Sequence, residues 1–191
     1  MTEKPILFSG PMVRAILDGR KTQTRRVIKT EGLDCCGPCG LTDVRFAGRD
    51  WSGNSVLLKC PQGETGTKLW VRETWVECQM CGDANHVATI NNPHNCKSCD
   101  EYITNKHKPS IFMPRHASRL TLEITGVRVE RVQDISERDA ESEGVEMMTS
   151  VDHGRTNPLV AFQVLWQSIN GKRGFGWGKN PWVWVIEFKR P

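Results

Sequence analysis

Lys21 and Thr24 stand three residues apart in the stretch Gly19-Arg20-Lys21-Thr22-Gln23-Thr24-Arg25-Arg26, where Arg20, Lys21, Arg25, Arg26 and Lys29 place five cations within ten residues. A threonine hydroxyl becomes a nucleophile when a base takes its proton, and a lysine is such a base once burial or neighbouring cations lower its pKa. Read without catalysis, the same cluster is a phosphate grip in which Arg20, Arg25 and Arg26 contact a nucleic acid or a nucleotide. Spacing separates the two readings. On a straight strand, side chains three apart leave on opposite faces, so catalysis by this pair requires a turn at Thr22-Gln23. Elsewhere the chain carries no phosphate-loop, dinucleotide or serine-elbow signature.

Cysteine supplies the second chemistry. Cys78-x2-Cys81 and Cys96-x2-Cys99, with fourteen residues between the pairs, have the spacing of a four-cysteine zinc ribbon. A closed all-thiolate site has no open coordination position, so this zinc is expected to be structural. The segment around it needs a staple, because aliphatic residues are sparse from Glu77 to Lys108 and Tyr102 is its single aromatic residue. Cys36, Cys39 and Cys60 offer three ligands for a second zinc, with Cys35, a histidine or water as the fourth. Disulfides are the alternative reading of these eight cysteines. The opening Met-Thr-Glu-Lys-Pro lacks a hydrophobic signal core, which places the chain in a reducing cytoplasm where thiolates bind metal.

The elements that must position these groups are legible as patterns. A length of 191 residues fits a single domain, 1–191, with cysteine-rich insertions at about 31–60 and 77–109. A net charge of +4 permits a polyanionic partner without demanding one, and no apolar run reaches the length of a membrane span. Ile6 to Ser9 reads as a strand, followed by a helix opened by Pro11 and stopped by Gly19. Val44 to Phe46 and Ser55 to Lys59 form a hairpin around Gly53-Asn54, and Lys68 to Trp75 is a further strand. Leu120, Leu122 and Ile124, then Val127, Val129 and Val132, alternate as extended structure. Ser136 caps a short helix that Gly144 ends, with Glu143 at its last turn. Asn157-Pro158 opens a third helix whose Leu159, Phe162, Leu165, Trp166 and Ile169 share a face, stopped at Asn170-Gly171. Trp182 to Lys189 reads as a central core strand. Trp70, Trp75 and Trp177 can stack on a base, with the core the favoured place for Trp70, Trp182 and Trp184.

The helix followed by Gly19-Arg20-Lys21-Thr22-x-Thr24, the Gly66 to Val71 strand entry, the Asp139-Ala140-x-x-Glu143 helix and the closing Val185-Ile186-Glu187-Phe188-Lys189 together resemble the ASCH domain. The resemblance implies an α+β fold, a compact PUA-like β-barrel with about three helices, here carrying an inserted zinc ribbon. The four blocks are most similar to the small bacterial N4-acetylcytidine amidohydrolases, and the whole chain to ASCH proteins of tailed phages and prophages. Carried over residue by residue, that resemblance implies Lys21 as base, Thr24 as nucleophile and Glu143 as their partner. It leaves two functions open. One is hydrolysis of an N-acylated pyrimidine nucleoside or related modified base. The other is an RNA- or DNA-binding module without catalysis.

Overall fold

The computed structural model describes residues 3–30, 33–37, 45–50, 52–77, 87–89, 108–145, 149–150, 154–155 and 157–191. In chain order its strands and helices are β1 (Glu3–Leu7), α1 (Gly10–Leu17), β2 (Gln23–Val27), β3 (Leu33–Gly37), β4 (Arg45–Asp50), β5 (Ser55–Lys59), β6 (Lys68–Arg72), β7 (Trp75–Glu77), β8 (Val87–Thr89), β9 (Thr121–Arg131), α2 (Glu137–Ser142), β10 (Thr149–Ser150), β11 (Gly154–Arg155), α3 (Pro158–Asn170) and β12 (Trp182–Lys189). The fold is therefore mixed α+β.

Five strands form the main sheet in the order β1-β6-β9-β12-β2; β1 and β6 run parallel and the other neighbours antiparallel. Among the described residues no ladder joins the edge strands β1 and β2, so the expected barrel is not closed by hydrogen bonds. A side chain spans the gap instead: Arg26 on β2 donates to the Leu7 carbonyl of β1 at 2.7 Å. β3, β4 and β5 make a separate antiparallel sheet, with β4 and β5 forming the hairpin expected around Gly53-Asn54. Gly53 adopts φ +82 in that turn, a conformation that glycine reaches without a Cβ penalty.

β12 divides the core. Its alternation sends Trp184, Ile186 and Phe188 into a cluster with Ile6 of β1, Ile16 of α1 and Leu122 of β9. Val183 and Val185 face the other way, under Ala140 of α2 and Phe162 and Trp166 of α3. A strand buried on both faces must be apolar on both, and only Glu187 interrupts the run. Phe46 of β4 and Cys60 belong to the first cluster, with Phe46 packed 5.6 Å from the Trp182 ring, so the small sheet rests on the main one.

Two sequence expectations are adjusted. Lys68 to Trp75 is split into β6 and β7, and Leu120 to Val132 is one eleven-residue strand with its register shifted opposite Glu187 and Phe188. Trp70 and Trp184 are buried in the core as expected, whereas Trp75 packs with Met113 and Ala117 in a satellite cluster. No helix among the described residues is long and apolar enough to cross a membrane.

Candidate functional site

α1 delivers the basic stretch. Pro11 at its first turn has the φ of a helix start, Val13, Ala15 and Ile16 are buried, and Gly19 at φ +76 ends it. The amides of Arg20 and Lys21 both donate to the Ala15 carbonyl, which fixes the exit of the chain. Thr22 then lies between two elements: its amide donates to Ser142 O at 2.9 Å and its carbonyl accepts from Phe188 N at 2.8 Å. The ladder to β12 thus continues back from Gln23 to Thr22, and the turn expected there does not occur. The Lys21 side chain makes the turn instead, folding forward so that Nζ donates to the Gln23 carbonyl at 2.8 Å, in the peptide unit that precedes Thr24.

α2 delivers the carboxylate. Ser136 Oγ accepts from Asp139 N at 3.1 Å, an N-cap with Asp139 at the third position, and Glu143 is the C-cap. Lys21 and Glu143 form an isolated antiparallel bridge. Lys21 Nζ donates to the Glu143 carbonyl at 2.8 Å and to Glu143 Oε2 at 2.9 Å. With Gln23 O, these acceptors engage all three N–H groups of an ammonium, so the resting lysine is held in its charged form. Both side chains are almost completely buried, at 2% and 5% exposure. Burial pushes the Lys21 pKa below its ordinary value; Glu143 opposes the shift, and Arg25 and Arg26 add to it.

Gly144 is what permits this approach, and its role goes beyond the helix stop legible in the sequence. It sits at φ +72, and a Cβ there would meet Lys21 Cβ at 2.7 Å and Ala15 Cβ at 2.9 Å. Only a residue without a side chain lets the end of α2 lie against α1 and Lys21 in this way.

Arg25 is wholly buried and committed to carboxylates: Nη1 donates to Glu143 Oε1 at 3.1 Å, and Nη2 to Glu130 Oε2 at 3.1 Å and Asp139 Oδ2 at 3.3 Å. Arg128 joins the same network through Asp139 at 3.1 Å and through Glu130 and Glu187. Gln23 anchors it by donating to Asp139 O at 2.9 Å. Burial alone would raise the Asp139 carboxyl, but Arg25 and Arg128, with hydrogen bonds from Ser136 and Gln23, hold it below the usual aspartate range. Sequence reasoning missed Glu130, Asp139, Arg128 and Glu187 as site residues. Their charges are scattered along the chain; the β9-β12-β2 register brings Arg128, Glu130 and Glu187 beside Arg25, and α2 adds Asp139.

Lys21, Thr24, Arg25, Arg26 and Glu143 all border one cleft of about 610 Å3, within the size range of small-ligand sites. It opens between β1 and β2, and its far wall comes from α3 and the loop after it, with Phe162, Trp166, Asn170 and Phe175. Arg26 lies over the Phe8 ring at 5.4 Å, and Lys29 and Arg173 also border the cleft. Thr24 is 5% exposed, and no hydrogen bond joins its hydroxyl to Lys21 among the described residues. Arg20 is exposed, paired with Asp18 at 3.1 Å, and does not border the cleft. Trp70, Trp75 and Trp177 do not border it either. The half-buried ring available there is Phe175.

Of the cysteines, Cys39, Cys78, Cys81, Cys96 and Cys99 lie outside the described residues, and Cys35 and Cys36 are described only as backbone in β3. Two β3 residues, Cys35 and Cys36, stand where β4 has Gly48 alone, between the pairs Asp34–Arg49 and Gly37–Ala47. Cys60 is buried, and burial pushes its thiol pKa up. Among the described residues no group of three or more His, Cys, Asp or Glu side chains is arranged to hold a metal.

No protein-family model matches the chain, and no curated protein sequence matches it. A solved structure that is similar is the crystal structure of an ASCH domain from Lactobacillus crispatus JV V101, at 12% identity and a TM-score of 0.45, covering 99% of this chain and 79% of that one. A likeness this loose leaves the chemistry to be argued from the residues of this chain.

Proposed function

We propose that the protein is a hydrolase of an N-acylated pyrimidine nucleoside or a related modified base, with Thr24 as nucleophile and Lys21 as proton carrier. The observation that supports this most is the buried Lys21–Glu143 pair at 2.9 Å, set beside Thr24 at the wall of a nucleoside-sized cleft. Neutral Lys21, made accessible by burial and the flanking arginines, takes the Thr24 Oγ1 proton as the oxygen attacks the exocyclic amide carbonyl. Arg26 borders the cleft two residues further along β2, on the same strand face as Thr24, and stabilises the oxyanion. Collapse expels the N4 amine, which takes the proton from the Lys21 ammonium. Water, deprotonated by Lys21 in turn, attacks the acyl-threonine ester; collapse expels Thr24 Oγ1, which takes the proton back from the Lys21 ammonium, and the acid leaves as its carboxylate with its proton lost to solvent. Glu143, itself anchored by Arg25, aims Nζ.

A second reading is favoured by Arg26, Lys29 and Arg173 along the same cleft: nucleic-acid binding without catalysis. In that case log affinity for a short oligonucleotide falls linearly with log salt, and Thr24 is dispensable.

Zinc belongs to the same proposal as a structural element. Cys78, Cys81, Cys96 and Cys99 hold one ion. A second would use Cys36, Cys39 and Cys60 with Cys35 or another fourth ligand; β3 ends at Gly37 at the same end of its sheet at which β5 ends before Cys60. Elemental analysis of unchelated protein is expected to give one or two zinc per chain, and none would overturn the ribbon.

The activity is tested by incubating the protein with N4-acetylcytidine and a panel of modified nucleosides, comparing wild type with Thr24→Val and Lys21→Gln. The expected result is turnover by wild type and a loss of about 100-fold or more in each variant. No turnover of any panel member by wild type overturns the hydrolase reading. Equal turnover by the variants overturns the residue roles.

A further inference from the structure

The geometry points to Asn170 as the residue that reads the pyrimidine edge, an inference that rests on the hydrolase reading and names its specificity determinant. Asn170 is the last residue of α3, only 6% exposed, and borders the cleft shared by Lys21 and Thr24. An amide has two donors and an acceptor oxygen with two lone pairs, and burying them unpaired is costly. Here Nδ2 has one long contact, to Trp166 O at 3.4 Å, and Oδ1 has no hydrogen-bond partner among the described residues. Oδ1 is not sealed in the interior either, since among the described residues the fully enclosed side-chain polar atoms without partners are on Arg25, Arg26, Arg72, Trp75 and Trp182. It therefore keeps some exposure, at a residue that borders the cleft.

The surroundings hold this amide still. Phe175 N donates to the Asn170 carbonyl at 3.1 Å, and Trp166 Nε1 donates to the Phe175 carbonyl at 2.9 Å. The loop after α3 is thereby closed onto the helix, and Asn170 borders the cleft beside the apolar Phe162 and Trp166. The contact of Nδ2 with Trp166 O also fixes which way the amide faces. Oδ1 is presented as an acceptor, and the second hydrogen on Nδ2 as a donor.

That pattern complements the edge of an N4-acylated cytosine, on which the N4–H donor lies beside the N3 acceptor. Oδ1 accepts from N4–H and Nδ2 donates to N3. With the base in the same placement, a uracil edge presents the reverse pattern, setting the O4 acceptor against Oδ1 and the N3–H donor against Nδ2. Asn170 therefore selects a cytosine-type base, and Lys21 and Thr24 act on the acyl group attached to it.

The test measures kcat and KM for N4-acetylcytidine and for 4-nitrophenyl acetate, an ester without a base, in wild type, Asn170→Asp and Asn170→Leu, with thermal melting of each. Asn170→Asp keeps the shape and loses the donor. The expected result is a KM for the nucleoside raised about 10- to 100-fold in both variants, as for removal of paired polar contacts, with ester turnover and melting little changed. An unchanged KM overturns the inference, and so does a fall in nucleoside and ester turnover together, which marks a structural role. If wild type turns over neither compound, the hydrolase reading fails while the inference is still decided by calorimetry with N4-acetylcytidine, cytidine and uridine. Binding that prefers the two cytosine bases and is weakened in Asn170→Asp upholds it; absent binding, or no preference over uridine, overturns it.

Discussion

Arg25 and Arg26 are adjacent on β2 and have opposite surroundings. Both border the cleft, but Arg25 is wholly buried and commits its guanidinium to Glu130, Asp139 and Glu143, while Arg26 lies over Phe8 and reaches the Leu7 carbonyl on the opposite edge strand. Strand alternation alone sends neighbours to different sides. The difference teaches that a cationic run is not one object: β2 divides it into an internal brace and a cleft-facing set. Glu143 joins the halves, since one carboxylate oxygen serves Arg25 and the other Lys21.

The strongest way to break that comparison is to remove each arginine in turn. Arg25→Leu leaves buried carboxylates uncompensated and is expected to cost about 3–5 kcal/mol of stability. Arg26→Leu is expected to cost much less, about 1 kcal/mol, from one hydrogen bond and the Phe8 contact. Chemical denaturation of the two variants measures both. Equal losses would mean that the brace and the cleft set are not distinct.

Gly144→Ala comes next. A Cβ in a left-handed conformation, placed within 3 Å of Lys21 and Ala15 side-chain atoms, is expected to cost about 1–3 kcal/mol and to displace Glu143 from Lys21. Melting gives the first effect. The second is read from the pH profile of the proposed activity, whose alkaline rise in wild type is expected to be centred below the ordinary lysine pKa because burial lowers Lys21. In the variant that midpoint is expected to move.

Acid sharpens the brace. Asp139 has a lowered folded pKa, so its contribution to stability is present above the unfolded aspartate value of about 3.9 and is lost as pH falls through the lower folded value. Asp139→Asn is expected to flatten the stability-against-pH curve in that window. A curve of unchanged slope would remove Asp139 from the brace. The smallest effect belongs to Arg20→Ala, within about 0.5 kcal/mol and without change in activity, because its ion pair with Asp18 is exposed.

Much of this frame was legible in the sequence, for identifiable reasons. β12 was read correctly because large apolar residues alternate through a two-sided core strand, and α2 and α3 because Ser136 and Asn157 cap them, accepting from Asp139 N and Leu159 N. Glu143 was reached through resemblance rather than pattern, and the structure brings it against Lys21. The brace was not legible, since Arg25, Arg128, Glu130 and Glu187 become neighbours only through strand register and Asp139 only through the packing of α2 against them. The turn at Thr22-Gln23 that catalysis by this pair would require of the backbone is absent: the backbone stays paired, and the long Lys21 side chain doubles back instead. Ile169, assigned to an apolar face, is 52% exposed at the cleft, because α3 divides its stripe between core and cleft. Asn170 read only as a helix end, and its buried amide becomes visible once the cleft is.

The central claim, that the cleft side of β2 performs chemistry through Thr24, is tested most directly by trapping the covalent intermediate. Wild-type protein is mixed with N4-acetylcytidine, quenched in acid within the first turnover, digested and analysed by mass spectrometry. The account predicts one acetyl group on the peptide containing Thr24, absent from Thr24→Val. Turnover with that peptide unmodified, or the same acetylation in Thr24→Val, would contradict it.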